Sequence, residues 1–286
     1  MKPFHHYWIA YREGGTGEFK IVEPPSYGWT ADPFLVEYEN QIYLFAEVFL
    51  YKTERNGKIG YCKFKDGKFG EWNISMDKHW HLSYPNVFVK NGKLYMVPES
   101  YQLEEVALYE LVSFPDKWKK VKTYINNVEY CDSTFMEYEG QQYMFTYERC
   151  PNNRADDKAL LYRLEGGELA EKQVISTNQA GARAAGNIII DNDKYIRVAQ
   201  NGVPTYGAGI IFYQIDSVWP EYREHEIKRV YARDFNKSWN DNRYDGCHTY
   251  NRLGNLEVID VIGVREIPEE EIASQRVREV FLNKYR

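Results

Sequence analysis

The chain has 286 residues, a net charge of −6 and a sequence pI near 5.7, which leaves no basic surplus for binding nucleic acid. No segment reaches the roughly 18 apolar residues that span a bilayer, and the N-terminus lacks the apolar core of a signal peptide. We therefore expect no nucleic-acid partner, no membrane span and a cytoplasmic location.

Composition favours an all-β fold. Aromatic residues make up 16% of the chain, with 25 tyrosines, and such side chains suit half-buried pleated surfaces. The four cysteines lie far apart, without the spacing of a zinc site or a redox pair. We expect free thiols, no cofactor and no metal; His79 and His81 have the spacing to begin a metal site, but no third ligand is evident.

The first predicted strand is HHYWIAYR, residues 5–12, and it has no partner nearby. The first hairpin follows at ADPFLVEYENQIYLFAE, residues 31–47, as a strand, a polar turn and a second strand around Tyr43. The same pattern returns around Tyr95 and Tyr143, and more weakly around Tyr195 and Leu256. Hairpin turns such as Asn91-Gly92 contain residues that tolerate positive φ.

These five positions are 52, 48, 52 and 61 residues apart, which is enough for four strands in each repeat. That is the length of a propeller blade, so residues 1–265 are predicted to form a five-bladed β-propeller. The N-terminal strand is expected to close the ring by pairing with the last blade. A short C-terminal α-helix is predicted within residues 266–286, packed on the propeller or binding a partner protein.

Alignment of the five repeats identifies candidates at one mouth of the central channel. Eleven residues before the aligned positions lie Asp32, Tyr84, Asp132, Ala184 and Asp245. The first strand of each blade lines the channel, so these side chains are expected to ring the mouth. Other candidates nearby are Glu99, Glu148, His81, His248 and the aromatic residues Trp29, Trp80 and Tyr206.

Paired carboxylates around a sugar-sized pocket can perform glycosidic chemistry, one as base or nucleophile and the other as acid. Aromatic side chains suit the apolar faces of sugars. Acids at strand ends usually satisfy turn amides or face water, so a structural role is favoured for each of these acids taken alone. Asp32 and Asp132, in register two blades apart, are the strongest catalytic candidates, with Glu99 as a possible proton donor.

Several motifs carry a family resemblance: YWIAYR at 7–12, ADPF at 31–34, HLSYP at 81–85, YMVPE at 95–99, SFPDKW at 113–118 and CDSTF at 131–135. On these the chain resembles five-bladed carbohydrate-active enzymes such as glycoside hydrolase family 43. It is more similar still to the amino-terminal domain of glucosamine inositolphosphorylceramide transferase and its bacterial relatives. The motifs cover most of residues 7–150, and the last two blades match more loosely.

The resemblance to family 43 implies Asp32 as general base and Asp132 as the acid that orients and tunes its partner. The third acid of that pattern is missing, because the fourth repeat reads AGARAAGN and places Arg183 beside Ala184. An ordinary glycoside needs a proton for its leaving group, whereas a phosphate leaving group needs charge stabilisation. Arginine provides that through bidentate contacts to phosphate.

The favoured hypothesis is therefore a glycosyltransferase that moves a sugar from a nucleotide or phosphate donor to a surface glycan or glycolipid. Arg183 would receive the donor phosphate. The substrate-binding candidates beside it are His81, Tyr84, Glu148, His248, Asp245 and Trp29. Two alternatives stay open: a glycoside hydrolase in which Glu99 or Glu148 supplies the proton, and a non-catalytic propeller that binds glycan or assists a transferase.

Overall fold

A computed structural model of the chain describes residues 2–51, 56–150, 157–241 and 244–267. The predicted C-terminal helix lies, from residue 268 onward, outside the described residues. Within these ranges the fold is five antiparallel sheets arranged as the blades of a propeller. The described helices are one α-helix, Ala232–Phe235, and short 3₁₀ turns, including Tyr101–Leu103 and Lys237–Asp241. None of them has the length and apolar character to cross a bilayer.

The strands follow one another along the chain with two-residue turns at the tip of the innermost hairpin of each blade. The N-terminal strands are β1 (Lys2–Glu13) and β2 (Lys20–Val22). Blade one contains β3 (Gly28–Tyr38), β4 (Gln41–Leu50), β5 (Lys58–Lys65), β6 (Lys68–Phe69) and β7 (Asn73–Met76). Blade two contains β8 (Ser83–Lys90), β9 (Lys93–Glu99), β10 (Glu105–Ser113) and β11 (Lys117–Asn126).

Blade three contains β12 (Tyr130–Tyr138), β13 (Gln141–Glu148), β14 (Lys158–Glu165) and β15 (Glu168–Ser176). Blade four contains β16 (Ala180–Ala184), β17 (Ile189–Asp191), β18 (Lys194–Asn201), β19 (Gly209–Ser217) and β20 (Arg223–Val230). Blade five contains β21 (Tyr244–Gly246), β22 (Tyr250–Leu253) and β23 (Leu256–Ile267), together with β1 and β2.

The ring closes through β1, as the sequence predicts. This strand pairs with β23 along its whole length, from Lys2 opposite Ile267 to Glu13 opposite Leu256. β2 then pairs with β1 and forms the outer strand of blade five. The last blade is thus assembled from both ends of the propeller, which covers edges that would otherwise be open.

The hydrophobic core is divided into clusters that lie between successive blades. Buried side chains join blade one to two, two to three, three to four, four to five and five to one. The last of these contacts sets Ile9 and Val258 of blade five against Leu44 of blade one. Each blade therefore packs on both neighbours, and the inner strands are held around one axis. The four cysteines are free, as expected.

Candidate functional site

Three blades present the same backbone distortion at the mouth of the channel. Asp32, Tyr84 and Asp132 have left-handed φ values of 52°, 42° and 52°. In each blade the pairing of the first two strands shifts at that point, which is the mark of a β-bulge. Bulges re-aim side chains, and aspartate adopts the left-handed region more readily than most residues. The sequence register of the first three repeats is therefore confirmed.

Asp32 is a buried carboxylate held by donors from two other blades. Its Oδ2 accepts a hydrogen bond from the backbone N–H of Tyr84 at 3.2 Å, and its Oδ1 accepts one from the Thr249 hydroxyl at 2.8 Å. Burial raises the pKa of Asp32 to about 6, against the lowering effect of His248. A carboxylate that changes protonation state near neutral pH is suited to general-base chemistry.

Asp132 is neutralised by Arg183 from the next blade. Arg183 donates from Nε to Asp132 Oδ2 and from Nη2 to Asp132 Oδ1, the latter at 3.2 Å. Nη2 also contacts Glu99 Oε2 at 3.2 Å, so one guanidinium bridges two buried carboxyl groups. Gln200 adds a further donor to Asp132 at 3.2 Å. Such fork geometry fixes the planes of both charged groups.

Glu99 lies at the end of β9, with 7% of its surface exposed. Burial and the neighbouring Asp132 carboxylate raise the pKa of Glu99 well above its usual range, although Arg183 opposes the change. Two carboxyl groups at such close quarters favour one protonated partner. The direction of this shift favours the protonated form of Glu99, so Glu99 is the described carboxyl group best suited to act as a proton donor.

His248 and Asp260 form a second buried pair, which contacts Asp32. His248 Nδ1 lies 2.5 Å from Asp260 Oδ2, and His248 Nε2 lies 3.9 Å from Asp32 Oδ1. Burial by itself lowers the pKa of His248, but the charge and hydrogen bond of Asp260, with help from Asp32, raise it to about 9. The imidazole is therefore a cation at neutral pH.

Asp32, His248 and Asp260 are also the described residues that come nearest to a metal site. One ligand atom from each lies within 4.8 Å of the others. However, Asp260 already accepts hydrogen bonds from His248 and from three backbone N–H groups. A metal would have to displace this network, so we assign these residues no metal.

Two predicted substrate contacts belong instead to the packing beneath the mouth. Trp29 is 1% exposed, and its ring is stacked between Tyr7 and Phe49. Tyr84 is fully buried; its hydroxyl contacts Thr134 and accepts a hydrogen bond from the backbone N–H of Gly186. Neither ring has a face available to a sugar, so the predicted binding roles of Trp29 and Tyr84 are replaced by structural ones.

His81 and Glu148 lie beside the site rather than at its centre. His81 Nδ1 accepts a hydrogen bond from the backbone N–H of Gly57 at 2.9 Å, which leaves Nε2 facing Glu47 at 3.7 Å. Glu148 follows Tyr147 on β13, so strand alternation turns it to the opposite face, near Tyr130. The structure does not bring Glu148 into the cluster around Asp32 and Asp132.

Asp245 is exposed and does not belong to the cluster. In the first three blades, the second strand of the inner hairpin begins two residues before the aligned position, which is Tyr43, Tyr95 or Tyr143. The corresponding position in blade five is Val258, not Leu256, because that hairpin pairs Leu253 with Leu256 across its turn. The alignment was therefore two residues out of register there.

Residues missed by the sequence alignment complete the mouth. They are Thr249 and Gln200, which donate to Asp32 and Asp132. Tyr206, already an aromatic candidate, is 40% exposed. The centre of its ring lies 5.2 Å from the centre of the His248 ring and 5.4 Å from Arg183 Cζ. In the sequence, the aromatic ring of Tyr206 is the feature that marks it as a candidate.

The fold and the mouth together define a five-bladed β-propeller with a buried carboxylate cluster at one end of its channel. A family model described as the N-terminal region of glucosamine inositolphosphorylceramide transferase 1 matches residues 22–263. The chain belongs to this family.

Relatives of this name occur in plants. The protein of that name from Oryza sativa subsp. indica is 30% identical over 76% of this chain and 30% of its own length. The one from Arabidopsis thaliana is 31% identical over 73% of this chain and 29% of its own length. The chain thus spans less than a third of the length of these relatives.

Solved structures with the same fold include glycoside hydrolases. An α-L-arabinofuranosidase from Podospora anserina superimposes with a TM-score of 0.60 at 9% identity, over 86% of this chain and 94% of that one. A thermostable family-43 glycoside hydrolase gives 0.56 at 14% identity, over 84% and 91%. At these identities the likeness concerns the fold alone.

Proposed function

We propose that the protein is a carbohydrate-active enzyme that transfers a glycosyl group from a phosphate or nucleotide donor to a glycan or glycolipid hydroxyl. The observation that carries this proposal is the buried Asp32 carboxylate, with a pKa of about 6, beside the cluster of Asp132, Arg183 and Glu99. The family name and the sugar-cleaving enzymes that share the fold support the carbohydrate class.

In the proposed reaction Asp32 takes the proton from the acceptor hydroxyl as its oxygen attacks the anomeric carbon. The bond between that carbon and the donor phosphate oxygen breaks, and its electron pair stays on the phosphate. A phosphate leaving group needs no proton at this step. Asp132 and Gln200 would keep the arginine in place, since both residues contact the same network.

Arg183 meets the leaving phosphate in a more limited way than the sequence suggested. Its Nε and Nη2 donate to Asp132 and Glu99, whereas Nη1 donates no hydrogen bond within the described residues. A bidentate contact with phosphate would require displacement of Asp132. We therefore propose a single contact through Nη1, with the positive charge partly offset by its carboxylate partners.

A second candidate function is glycoside hydrolysis, which the state of Glu99 favours. A buried carboxyl group with a raised pKa can supply the proton that an alkoxide leaving group requires. In that case Glu99 would replace the acid missing from blade four. Because the chain spans less than a third of its named relatives, a non-catalytic glycan-binding role is the third outcome of the test.

The test is incubation of the protein with a panel of sugar nucleotides and a panel of aryl glycosides. Turnover of a nucleotide sugar supports transfer, release of the aryl group supports hydrolysis, and glycan binding without turnover indicates a binding module. Asp32→Asn should lower turnover by about 10²-fold or more if Asp32 is the base. Asp245→Asn is the matched control, because this carboxylate is exposed and outside the cluster. Equal turnover in both variants would exclude Asp32 as the base.

A further inference from the structure

The buried pair of His248 and Asp260 takes no part in the steps above, although it touches Asp32. The side chains are 3% and 0% exposed, and they belong to different segments of blade five. Fully buried charges are costly unless they are paired and hydrogen-bonded. A charged pair at this depth, beside the proposed base, can have a role that an apolar pair could not fill.

The hydrogen bonds of Asp260 determine the state of the imidazole. Asp260 Oδ1 accepts from the backbone N–H groups of His248 and Thr249 at 2.9 Å and 3.0 Å. Its Oδ2 accepts from the backbone N–H of Asp32 at 3.1 Å and lies 2.5 Å from His248 Nδ1. Three backbone N–H donors on one side chain are the pattern of an ionised carboxylate, and a ring nitrogen 2.5 Å from such an acceptor carries a proton, so we place a proton on His248 Nδ1.

The other nitrogen of the imidazole faces the proposed base. His248 Nε2 lies 3.9 Å from Asp32 Oδ1, which is the oxygen that also accepts from Thr249. Asp260 meanwhile holds the backbone of Asp32 at the point where φ is 52°. One carboxylate of blade five thus fixes both the backbone of Asp32 and the ring that faces its side chain.

We propose that Asp260 and His248 form a positioning pair, in which Asp260 anchors the Asp32 bulge and His248 supplies a fixed positive charge beside the Asp32 carboxylate. This inference deepens the proposed function and rests on it, because it assumes that Asp32 is the base. It names two further residues that keep that base ionised and oriented.

The charge environment agrees with this role. The titratable groups that face Asp32 from the surrounding blades are His248, Asp260, Asp132, Glu99, Tyr84 and Tyr206. Of the charges that act on Asp32, Asp132 and Asp260 raise its pKa, whereas His248 lowers it. Without the imidazolium, burial and the neighbouring acids would keep Asp32 protonated over more of the neutral range.

The experiment measures carboxyl and imidazole titrations by NMR, in ¹³C-labelled and ¹⁵N-labelled protein, so that no substrate is needed. In His248→Gln the pKa of Asp32 should rise by about one unit or more, because an opposite charge at this distance is lost. In the wild-type protein both nitrogens of His248 should be protonated at pH 7.5. A neutral His248 at that pH, or an unchanged Asp32 in the variant, would overturn the proposal.

His225→Gln is the matched control. His225 Nδ1 also lies 2.7 Å from an aspartate, Asp216, but this pair is more than 40% exposed and remote from the mouth. Its removal should leave the titration of Asp32 unchanged. If His248→Gln does not fold, Asp260→Asn tests the same pair, because loss of the carboxylate should leave His248 neutral at pH 7.5; a persisting cation contradicts the proposal.

These titrations separate the inference from the function on which it rests. If the pKa of Asp32 rises in His248→Gln but the protein turns over no sugar, the positioning pair is supported and the proposed enzymatic role is rejected. If turnover depends on Asp32 but the pKa of Asp32 is unchanged in His248→Gln, the enzymatic role is supported and the positioning pair is rejected.

Discussion

Arg183 and Asp132, 51 positions apart in the sequence and in neighbouring blades, form a two-point ion pair at the mouth of the channel. The same guanidinium also contacts Glu99, which lies in blade two. The arginine that stands where the family pattern has its third acid thus binds Asp132, an acid of that pattern, together with Glu99. Its first role is to make the burial of two carboxyl groups tolerable, and any contact with substrate is added to that role.

Arg183→Met should therefore destabilise the fold. The variant leaves Asp132 and Glu99 buried without a cation, and loss of one partner of a buried pair costs about 3–5 kcal/mol. Urea unfolding at pH 7.5 measures the change. Arg229→Met is the matched control, because Arg229 makes the same two-point contact with Glu226 on an exposed strand. Its removal should cost less than about 1 kcal/mol, and equal losses in the two variants would contradict the assignment.

Asp32→Asn should gain stability at neutral pH while it loses activity. The pKa of Asp32 is raised from 3.8 to about 6, so the folded state binds this proton more tightly than the unfolded state does. Ionisation therefore lowers the free energy of unfolding as pH rises from about 4 to about 6. At about 1.4 kcal/mol per pH unit, an uncharged side chain should add about 3 kcal/mol at pH 7.

Thermal unfolding of Asp32→Asn and the wild-type protein between pH 3.5 and pH 8 checks this expectation. The difference should be largest above pH 6 and disappear near pH 4. A variant that is less stable at pH 7 would show that the hydrogen bonds from Thr249 and Tyr84 outweigh the cost of the buried charge. Asp245→Asn should leave the profile unchanged.

Tyr206 should contribute to sugar binding through its ring. It is the aromatic residue near the mouth that is 40% exposed, and its loop is fixed by a hydrogen bond from Cys247 N–H to the Gly207 carbonyl at 2.8 Å. Tyr206→Ala should weaken glycan binding by about fivefold, in line with the roughly 1 kcal/mol of an aromatic contact, whereas Tyr206→Phe should retain it.

NMR titration with a panel of methyl glycosides measures this binding. Val203→Ala is the control within the same loop, because Val203 is 48% exposed and carries no ring. If Tyr206→Ala and Val203→Ala bound the same glycosides equally well, Tyr206 would not be part of the sugar site.

The fold was predictable because each blade repeats a hairpin that has its own turn chemistry. Two-residue turns fix the register locally, so the first three repeats aligned without error and placed Asp32, Tyr84 and Asp132 on equivalent bulges. In the last two blades the chosen positions, Tyr195 and Leu256, lie one and two residues from the equivalent places. That slip selected Asp245 in place of the segment that contains His248 and Thr249.

The pairing of the site residues was less accessible from sequence. A repeat alignment shows which residues share a mouth, but it does not show which side chains meet across it. Arg183 was expected to face a ligand, and only the geometry of neighbouring blades shows that it faces Asp132. The same holds for Asp260, whose bond to Asp32 joins positions 228 residues apart.

Closure of the ring by β1 should make its buried residues essential to the whole propeller. Ile9 is fully buried between blades five and one, so Ile9→Ala should cost about 2–5 kcal/mol in a single cooperative transition. Val264→Ala is the control. Val264 lies on β23, the strand that pairs with β1, but it is 51% exposed, so its truncation should change stability by less than about 0.5 kcal/mol. Urea unfolding followed by tryptophan fluorescence and circular dichroism measures the stability of both variants.

Because each blade packs on both neighbours, the two probes should give one midpoint. Separate midpoints in Ile9→Ala would show that blade five can detach while the other blades stay folded.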